Sequence, residues 1–500
     1  MRKGESVVAG TVDMAGEDGD KQYEIKVLRS EYLIASDGGR STVRHRLKIP
    51  FPGRTRDYNL ILFDGHVETD LPPTNISFIN GDNHHSVRLF PIRDNRVRIM
   101  LDDGLLTQQQ FDSRESKTVD KKYFEKLLQE TMGALKLKIL SYNWLTYYRA
   151  NERRAAEFTH KRRIFLAGDA AHCHSPAGGM NTGLQDSYNL AWKIAMVLNG
   201  TAPQTILDSY SEERIPIADD IIRFSAMTLD SGLYQGWFSS NMKRLKLAMM
   251  PFVSRYLPKG NSRTLSSTSM LGLRYYENSV NKSHKSQHYL PTAPASIGQR
   301  APDDILVPFT TPTLETSVSK PESLATLEGD PIDKPRTTRL YELLAFPGVF
   351  NIIVFAANRL VTERDFEAGL VKDIDHYQQA WLSKWPGLGG VLDANSTPQF
   401  MVHVISSVTP SSFKSGNYET TTREMANRTA GFGKIYKDCE GGRLHGRYGF
   451  AGVSTKEGDG GGVVVLRPDT HIAFRVSNVN SAAWADVDEY FQSVLTASWK

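Results

Sequence analysis

The chain has 500 residues, 40% of them hydrophobic, and its 60 Lys and Arg against 56 Asp and Glu leave a formal net charge of +4. That near-neutral balance excludes nucleic acid as the main partner, and the length provides for several domains with cores of their own. Two cysteines, Cys173 and Cys439, exclude a disulfide framework, and without a Cys-x-x-Cys pair there is no thiol-redox or zinc-ribbon site.

Residues 6–12 and 23–29 read as two strands around an acidic, glycine-containing turn. Residues 59–63, 86–90 and 96–100 have strand character, with turn residues between them. An amphipathic helix is predicted over 121–135, with Phe124, Leu127, Leu128 and Met132 on one face. The basic stretch 149–154, with Lys161-Arg162-Arg163, reads as the solvated flank of the buried strand that follows it. That strand, 163–167, ends in a glycine turn; a loop of small residues and proline then leads to a helix from near Asn181 to the stop at Asn199-Gly200. Helical segments continue over 209–229, and in Glu213-Arg214-Ile215-Pro216 the proline suits the first turn of a helix. The polar stretch 257–300 marks a domain boundary. Beyond Ile297, residues 350–355, 400–405, 462–466 and 471–475 read as buried strands flanked by helices at 338–344 and 483–495. The Thr/Pro/Ser-rich segment 308–337 reads as a long surface loop.

The most informative stretch is Ile164-Phe165-Leu166-Ala167-Gly168-Asp169-Ala170-Ala171-His172, running on to Met180-Asn181-Thr182-Gly183. A buried strand ends in Gly168, which turns the chain and presents the carboxylate of Asp169 to accept hydrogen bonds from sugar-alcohol hydroxyls. Gly178 and Gly179 would let a planar ring lie against the backbone where any side chain would collide. The helix opening near Asn181 points free N–H groups at that ring and favours an anionic form of it. Neighbouring residues of His172-Cys173-His174 point in opposite directions on an extended loop, so no metal is expected there.

These residues resemble the Gly-Asp motif of FAD-dependent aromatic-ring monooxygenases, in the phenol 2-monooxygenase-like branch. Upstream, Ser36-Asp37-Gly38-Gly39-Arg40-Ser41-Thr42-Val43-Arg44 resembles the same family's Asp-Gly motif, in the right order and with a strand-rich segment between the two. The resemblance implies an α/β fold (α+β overall): an FAD-binding Rossmann-like domain with an inserted substrate-binding β-sheet, plus a C-terminal thioredoxin-like domain. Arg447-Tyr448-Gly449 and Leu466-Arg467-Pro468-Asp469 carry the likeness in the last of these. The expected divisions are 1–50 and 161–256 for FAD binding, 51–160 for the substrate sheet, 257–296 for a linker and 297–500 for the C-terminal domain.

By the same resemblance, Asp37, Gly38, Arg44, Gly168, Asp169, Pro176, Gly178, Gly179, Met180 and Asn181 hold FAD. NADPH is the co-substrate, dioxygen and a small aromatic ring are the reactants, and the C-terminal domain serves a homodimer. Pro176 sits beside the flavin's reactive edge. Met100 stands where relatives carry a tyrosine that meets the phenol, with Arg93 nearby; a methionine there makes an apolar wall and implies a bulkier ring than simple phenol.

Two departures accompany the likeness. The family opens with a strand–GxGxxG–helix unit for the FAD pyrophosphate, and nothing before Asp37 supplies it; the chain is therefore expected to begin inside the family's fold and to bind FAD poorly. The flavin loop is also two residues shorter than the family's Pro-x-Gly-Gly-Gln-Gly. A flavin-free relative, acting in binding or dimerisation or as a non-redox cyclase, is the alternative. No apolar run reaches the ~20 residues of a membrane span and the start is polar, so a cytoplasmic protein with no membrane partner is expected.

Overall fold

A computed structural model describes residues 6–14, 22–72, 74–81, 85–105, 118–175, 179–233, 272–283, 295–308, 337–344, 348–356, 358–359, 400–406, 435–438, 442–450, 453–454, 461–479 and 481–495. The strands are β1 (Ser6–Met14), β2 (Gln22–Ser30), β3 (Leu33–Ala35), β4 (Gly53–Thr69), β5 (Ser77–Asn80), β6 (Ser86–Ile92), β7 (Arg96–Leu105), β8 (Leu137–Arg154), β9 (Thr159–His160), β10 (Ile164–Leu166) and β11 (His172–Cys173). In the second half come β12 (Ile305–Pro308), β13 (Thr338–Arg339), β14 (Phe350–Ala356), β15 (Asn358–Arg359), β16 (Phe400–Ser406), β17 (Ile435–Asp438), β18 (Val453–Ser454), β19 (Gly461–Leu466) and β20 (Ile472–Ser477). The helices are α1 (Thr42–Arg46), α2 (Lys121–Met132), α3 (Gly179–Leu198), α4 (Asp208–Leu233), α5 (Leu340–Leu343), α6 (Arg443–Arg447) and α7 (Ser481–Val494).

The first two strands pair as an antiparallel hairpin, with Ser6 opposite Ser30. A small sheet in the order β3-β10-β9 sets β3 parallel to β10, bringing Ala35 beside Leu166. Both sequence motifs therefore leave adjacent parallel strands at the same end, which is where ligand crevices form in α/β sheets.

The six-stranded sheet runs β11-β8-β4-β7-β6-β5. Its central strand β4 is buried on both faces, which accounts for the unbroken run Leu60-Ile61-Leu62-Phe63. Ile61 and Phe63 face α2 through Phe124, Leu127, Leu128 and Met132. Leu60 and Leu62 lie on the opposite face with Tyr58, Ala150, Met100 and Tyr148. Asp120 begins α2 by accepting from the backbone N–H of Lys122 (3.2 Å), and Gly133 ends it.

The expected helix at 121–135 is thus shorter at its end, and the strands at 59–63 and 96–100 are parts of much longer ones. The basic stretch 149–154 is a correction. It lies within the 18-residue β8, paired to β4, and the Arg149 side chain is only 8% exposed. The proline of Glu213-Arg214-Ile215-Pro216 also sits in the interior of α4, not at its start.

The C-terminal part is a seven-stranded mixed sheet in the order β13-β12-β17-β16-β14-β19-β20. Strand β14 is parallel to β16 and antiparallel to β19, and β19 forms a hairpin with β20 that leads to α7, a thioredoxin-like arrangement. One apolar cluster runs without a break from Phe165, Leu166 and Trp192 to Phe350, Val463, Trp484 and Phe491. The two halves of the chain share that core. Among the described residues no helix is long and apolar enough to cross a membrane. Pro176, Ala177, Gly178, Cys439 and most of 308–337 lie outside the described residues.

Candidate functional site

Gly168 has φ +60, a conformation that favours glycine, and it packs against the first turns of α3 through Gly183. A Cβ on Gly183 would stand 3.2 Å from the Gly168 Cα, so the two glycines are what let turn and helix approach. Arg44 staples this turn to the upstream motif. Its guanidinium is buried, donates to the carbonyls of Ala170 (2.8 Å) and Gly39 (2.7 Å), and lies 3.7 Å above the Phe51 ring.

A cavity of about 370 Å³ opens at this junction, lined by Gly39, Tyr148, Arg149, Asn151, Asp169, Cys173, His174, Ser175 and Met180. The Asp169 side chain is exposed there and makes no hydrogen bond among the described residues, so both carboxylate oxygens remain acceptors. Met180 brings the first turn of α3, the positive end of the helix dipole, to the same wall. Burial and the Asp169 charge both raise the pKa of Tyr148, keeping its phenol protonated as a donor.

On the floor, Ser175 donates to Glu152 (2.9 Å), which also receives Arg54 (2.9 Å). His174 holds its Nδ1 2.9 Å from the Ser175 carbonyl, placing the ring proton there; Nε2 makes no hydrogen bond among the described residues. Burial lowers the His174 pKa, so the ring is neutral. The Cys173 thiol is pushed up to about 11, first by burial and then by the Asp169 charge.

The expected site residues fall into distinct groups. Asp169 and Met180 line the cavity, and Gly168 and Asn181 flank it. The Asp37 carboxylate accepts from Thr42 N (2.7 Å) and Val43 N (3.2 Å), capping α1 just after the turn at Gly38. Burial raises the Asp37 pKa, but Ser41 and these N–H groups outweigh it and lower it overall. Arg44 spends its donors on backbone carbonyls instead of facing the cavity. Gly179 begins α3; Pro176 and Gly178 fall among the residues not described.

Met100 packs beside Tyr148 on the sheet face that borders the cavity. Arg93 is not brought there. It sits exposed at the tip of the β6–β7 hairpin, where Asp94 and Asn95 both adopt positive φ. The wall residues Tyr148, Asn151, His174 and Ser175 were missed, although His174 and Ser175 belong to the quoted loop. Tyr148 and Asn151 sit on a strand whose mixed polar pattern concealed it. Among the described residues no group of three or more His, Cys, Asp or Glu could hold a metal ion.

Residues 3–225 match the FAD binding domain family, and residues 333–498 match the phenol hydroxylase C-terminal dimerisation domain. These two matches, in this order along the chain, make it similar to the FAD-dependent aromatic-ring monooxygenases of the phenol hydroxylase type. It is 31% identical over 241 residues to an uncharacterized aromatic compound monooxygenase, YhjG, of Bacillus subtilis, covering 48% of this chain and 47% of that one. It is 35% identical over 215 residues to pentachlorophenol 4-monooxygenase of Sphingobium chlorophenolicum, covering 42% and 37%. The chain spans about half the length, or less, of such curated relatives. Among solved structures, aklavinone-11 hydroxylase in complex with FAD and aklavinone has the same fold, with a TM-score of 0.59 at 18% identity over 97% of this chain and 71% of that one.

The residues present fit the flavin end of FAD. A carboxylate just past a strand end, without a hydrogen bond among the described residues, meets a helix N-terminus and the Gly39 backbone at one cavity. Its volume lies near the lower end of the roughly 300–1,000 Å³ typical of small-molecule sites.

Proposed function

We propose that this chain provides the flavin and substrate surfaces of an FAD-dependent monooxygenase that uses NADPH and dioxygen to hydroxylate a phenolic or polyketide-like ring. The observation that carries the reading is the cavity where the exposed Asp169 carboxylate, the start of α3 and the Tyr148 face of the substrate sheet converge. In this reading residues 1–50 and 161–256 form the flavin-binding part, 51–160 the substrate sheet, 257–296 a linker and 297–500 the C-terminal domain, which supports a homodimer.

FAD, held here, would supply the redox chemistry by which two electrons from NADPH and one molecule of dioxygen give a hydroxylated ring and water. The chain's own contribution is positioning. Asp169 accepts hydroxyl protons of the flavin tail, and the N–H groups at the start of α3 stabilise negative charge at the flavin ring. Tyr148 donates a hydrogen bond from a phenol that burial keeps protonated. His174 Nε2, a neutral acceptor, suits a ligand hydroxyl. Met100, Leu60 and Leu62 provide an apolar wall that excludes water. Pro176, Gly178 and Gly179 contribute the loop beside the ring.

The test is an FAD titration of the 500-residue chain, followed by flavin fluorescence and visible absorbance. Weak but saturable binding with a structured flavin spectrum is expected, lost on Asp169→Ala, with NADPH-dependent oxygen uptake on adding an aromatic substrate. A folded chain that leaves the free-flavin spectrum unchanged at saturating FAD refutes the proposal.

A further inference from the structure

Two closed ionic clusters lie behind the Gly168 turn, and neighbouring residues of one helix anchor them. Successive residues on an α-helix point about 100° apart, so Glu213 and Arg214 of α4 reach different surroundings. The Glu213 carboxylate receives Lys193 of α3 (2.8 Å), Asn189 (2.7 Å), Asn278 and Asn281 (2.9 Å each). It also receives Arg467, which follows β19 in the C-terminal sheet, at 2.5 and 3.0 Å. Arg467 continues to Asp469 (2.9 Å through Nε), and Asp469 accepts from the Trp192 indole (3.2 Å).

Arg214 instead donates through Nε to Asp186 Oδ1 (2.6 Å) and through Nη2 to the Thr182 carbonyl (3.2 Å). The other oxygen of Asp186 accepts the backbone N–H of Gly168 (3.0 Å) and meets His172 Nε2 at 2.7 Å. Glu213, Lys193, Arg467, Arg214 and Asp186 have fully buried side chains. In the first cluster Glu213 and Asp469 face Lys193 and Arg467, with His471 3.4 Å from Asp469, and in the second Asp186 faces Arg214 with His172 beside it. Removing Arg467 or Arg214 therefore strips a buried carboxylate of its guanidinium partner.

We propose that Glu213 and Arg214 couple the seating of the C-terminal domain to the geometry of the Gly168-Asp169 turn, with Arg467 and Asp186 as positioning residues at either end. Arg467 fixes Glu213, and with it the placement of α4 against α3. The same helix then holds Arg214 against Asp186, whose carboxylate sets the Gly168 N–H and so the direction in which Asp169 faces the cavity. The C-terminal domain is thereby part of the flavin site, although none of its described residues lines the cavity. The value of this arrangement for catalysis rests on the flavin reading above; the mechanical coupling does not.

The experiment compares the full chain with Arg467→Met, Asp186→Asn, the double variant and Ile353→Ala. Ile353→Ala truncates a fully buried residue of the same C-terminal sheet away from the ionic cluster. Hydrogen exchange of the peptide spanning 163–175 reads the turn with no ligand present. Arg467→Met is expected to speed exchange at Gly168 about tenfold, the loss of one hydrogen bond to a charged group. Ile353→Ala, at a matched fall in unfolding temperature, should leave it unchanged. FAD affinity should fall about tenfold in Arg467→Met and much less when Asp186→Asn is already present, because the two act along one path.

Unchanged exchange in Arg467→Met, or equal acceleration in Ile353→Ala, overturns the proposal. Should Arg467→Met not fold, Arg467→Lys keeps the charge but loses the fork between two carboxylates, and is read the same way. If the parent chain binds no FAD, the flavin reading fails and the exchange comparison alone decides the coupling.

Discussion

His403 offers a quantitative check on the C-terminal sheet. It sits on β16 in the sheet interior, 2% exposed, with Nε2 3.2 Å from the Asn351 side-chain oxygen and Nδ1 without a hydrogen bond among the described residues. Burial brings its pKa from 6.5 down to about 4. Above pH 6.5 the ring is neutral folded or unfolded and stability is unaffected. Between pH 6.5 and about 4 only the unfolded chain takes up the proton, so stability falls as the solution is acidified. Across the whole window the loss is about 3 kcal/mol, and about 2 kcal/mol of it is spent by pH 5. His403→Gln removes the titration while keeping a donor for Asn351. Urea unfolding at pH 7 and pH 5 should therefore show a drop about 2 kcal/mol smaller in the variant. Equal drops in the two proteins would refute the argument that the ring is held neutral.

Gly168→Ala forces a side chain into the left-handed region and should cost about 1–2 kcal/mol in unfolding free energy. Gly183→Ala gains up to about 1 kcal/mol of helix propensity but presses on the Gly168 turn, so FAD affinity should fall while the unfolding temperature barely moves; equal affinity would count against the close approach. Arg44→Lys can keep only part of the staple between Gly39 and Ala170, and a loss of about 2 kcal/mol is expected in urea unfolding; unchanged stability would contradict that role. With a pKa near 11, Cys173 should alkylate with iodoacetamide at pH 8 roughly a hundredfold more slowly than an unperturbed thiol. Peptide mass spectrometry distinguishes it from Cys439, and fast labelling would contradict its burial beside Asp169.

Local features were legible in the sequence, and features made by meeting were not. The strand–turn–helix around Asp169 announces itself because glycine, carboxylate and apolar run are neighbours. The hairpin of β1 and β2 was legible for the same reason. Strand β8 was hidden because its partner β4 supplies the apolar face, leaving β8 free to carry Arg149, Arg153 and Arg154. Glu213-Arg214 and Leu466-Arg467-Pro468-Asp469 were both visible as separate stretches. Nothing local told that a carboxylate in one meets a guanidinium 254 positions away. The proline misled because its fixed φ suits a first turn, whereas α4 accommodates it deeper inside, where it leaves one N–H donor out of the ladder.

The shared core has a consequence for synthesis. Trp192 meets Phe350 edge-on at 5.8 Å, and Phe350 meets Phe491 at 5.5 Å. The indole leaves the ribosome about 300 residues before Phe491 does. At roughly 5–20 residues per second it waits on the order of 15–60 s for the last layer of its packing. During that interval the nascent flavin domain presents an open apolar face, and chaperones that shield such faces have their longest opportunity on this half of the chain.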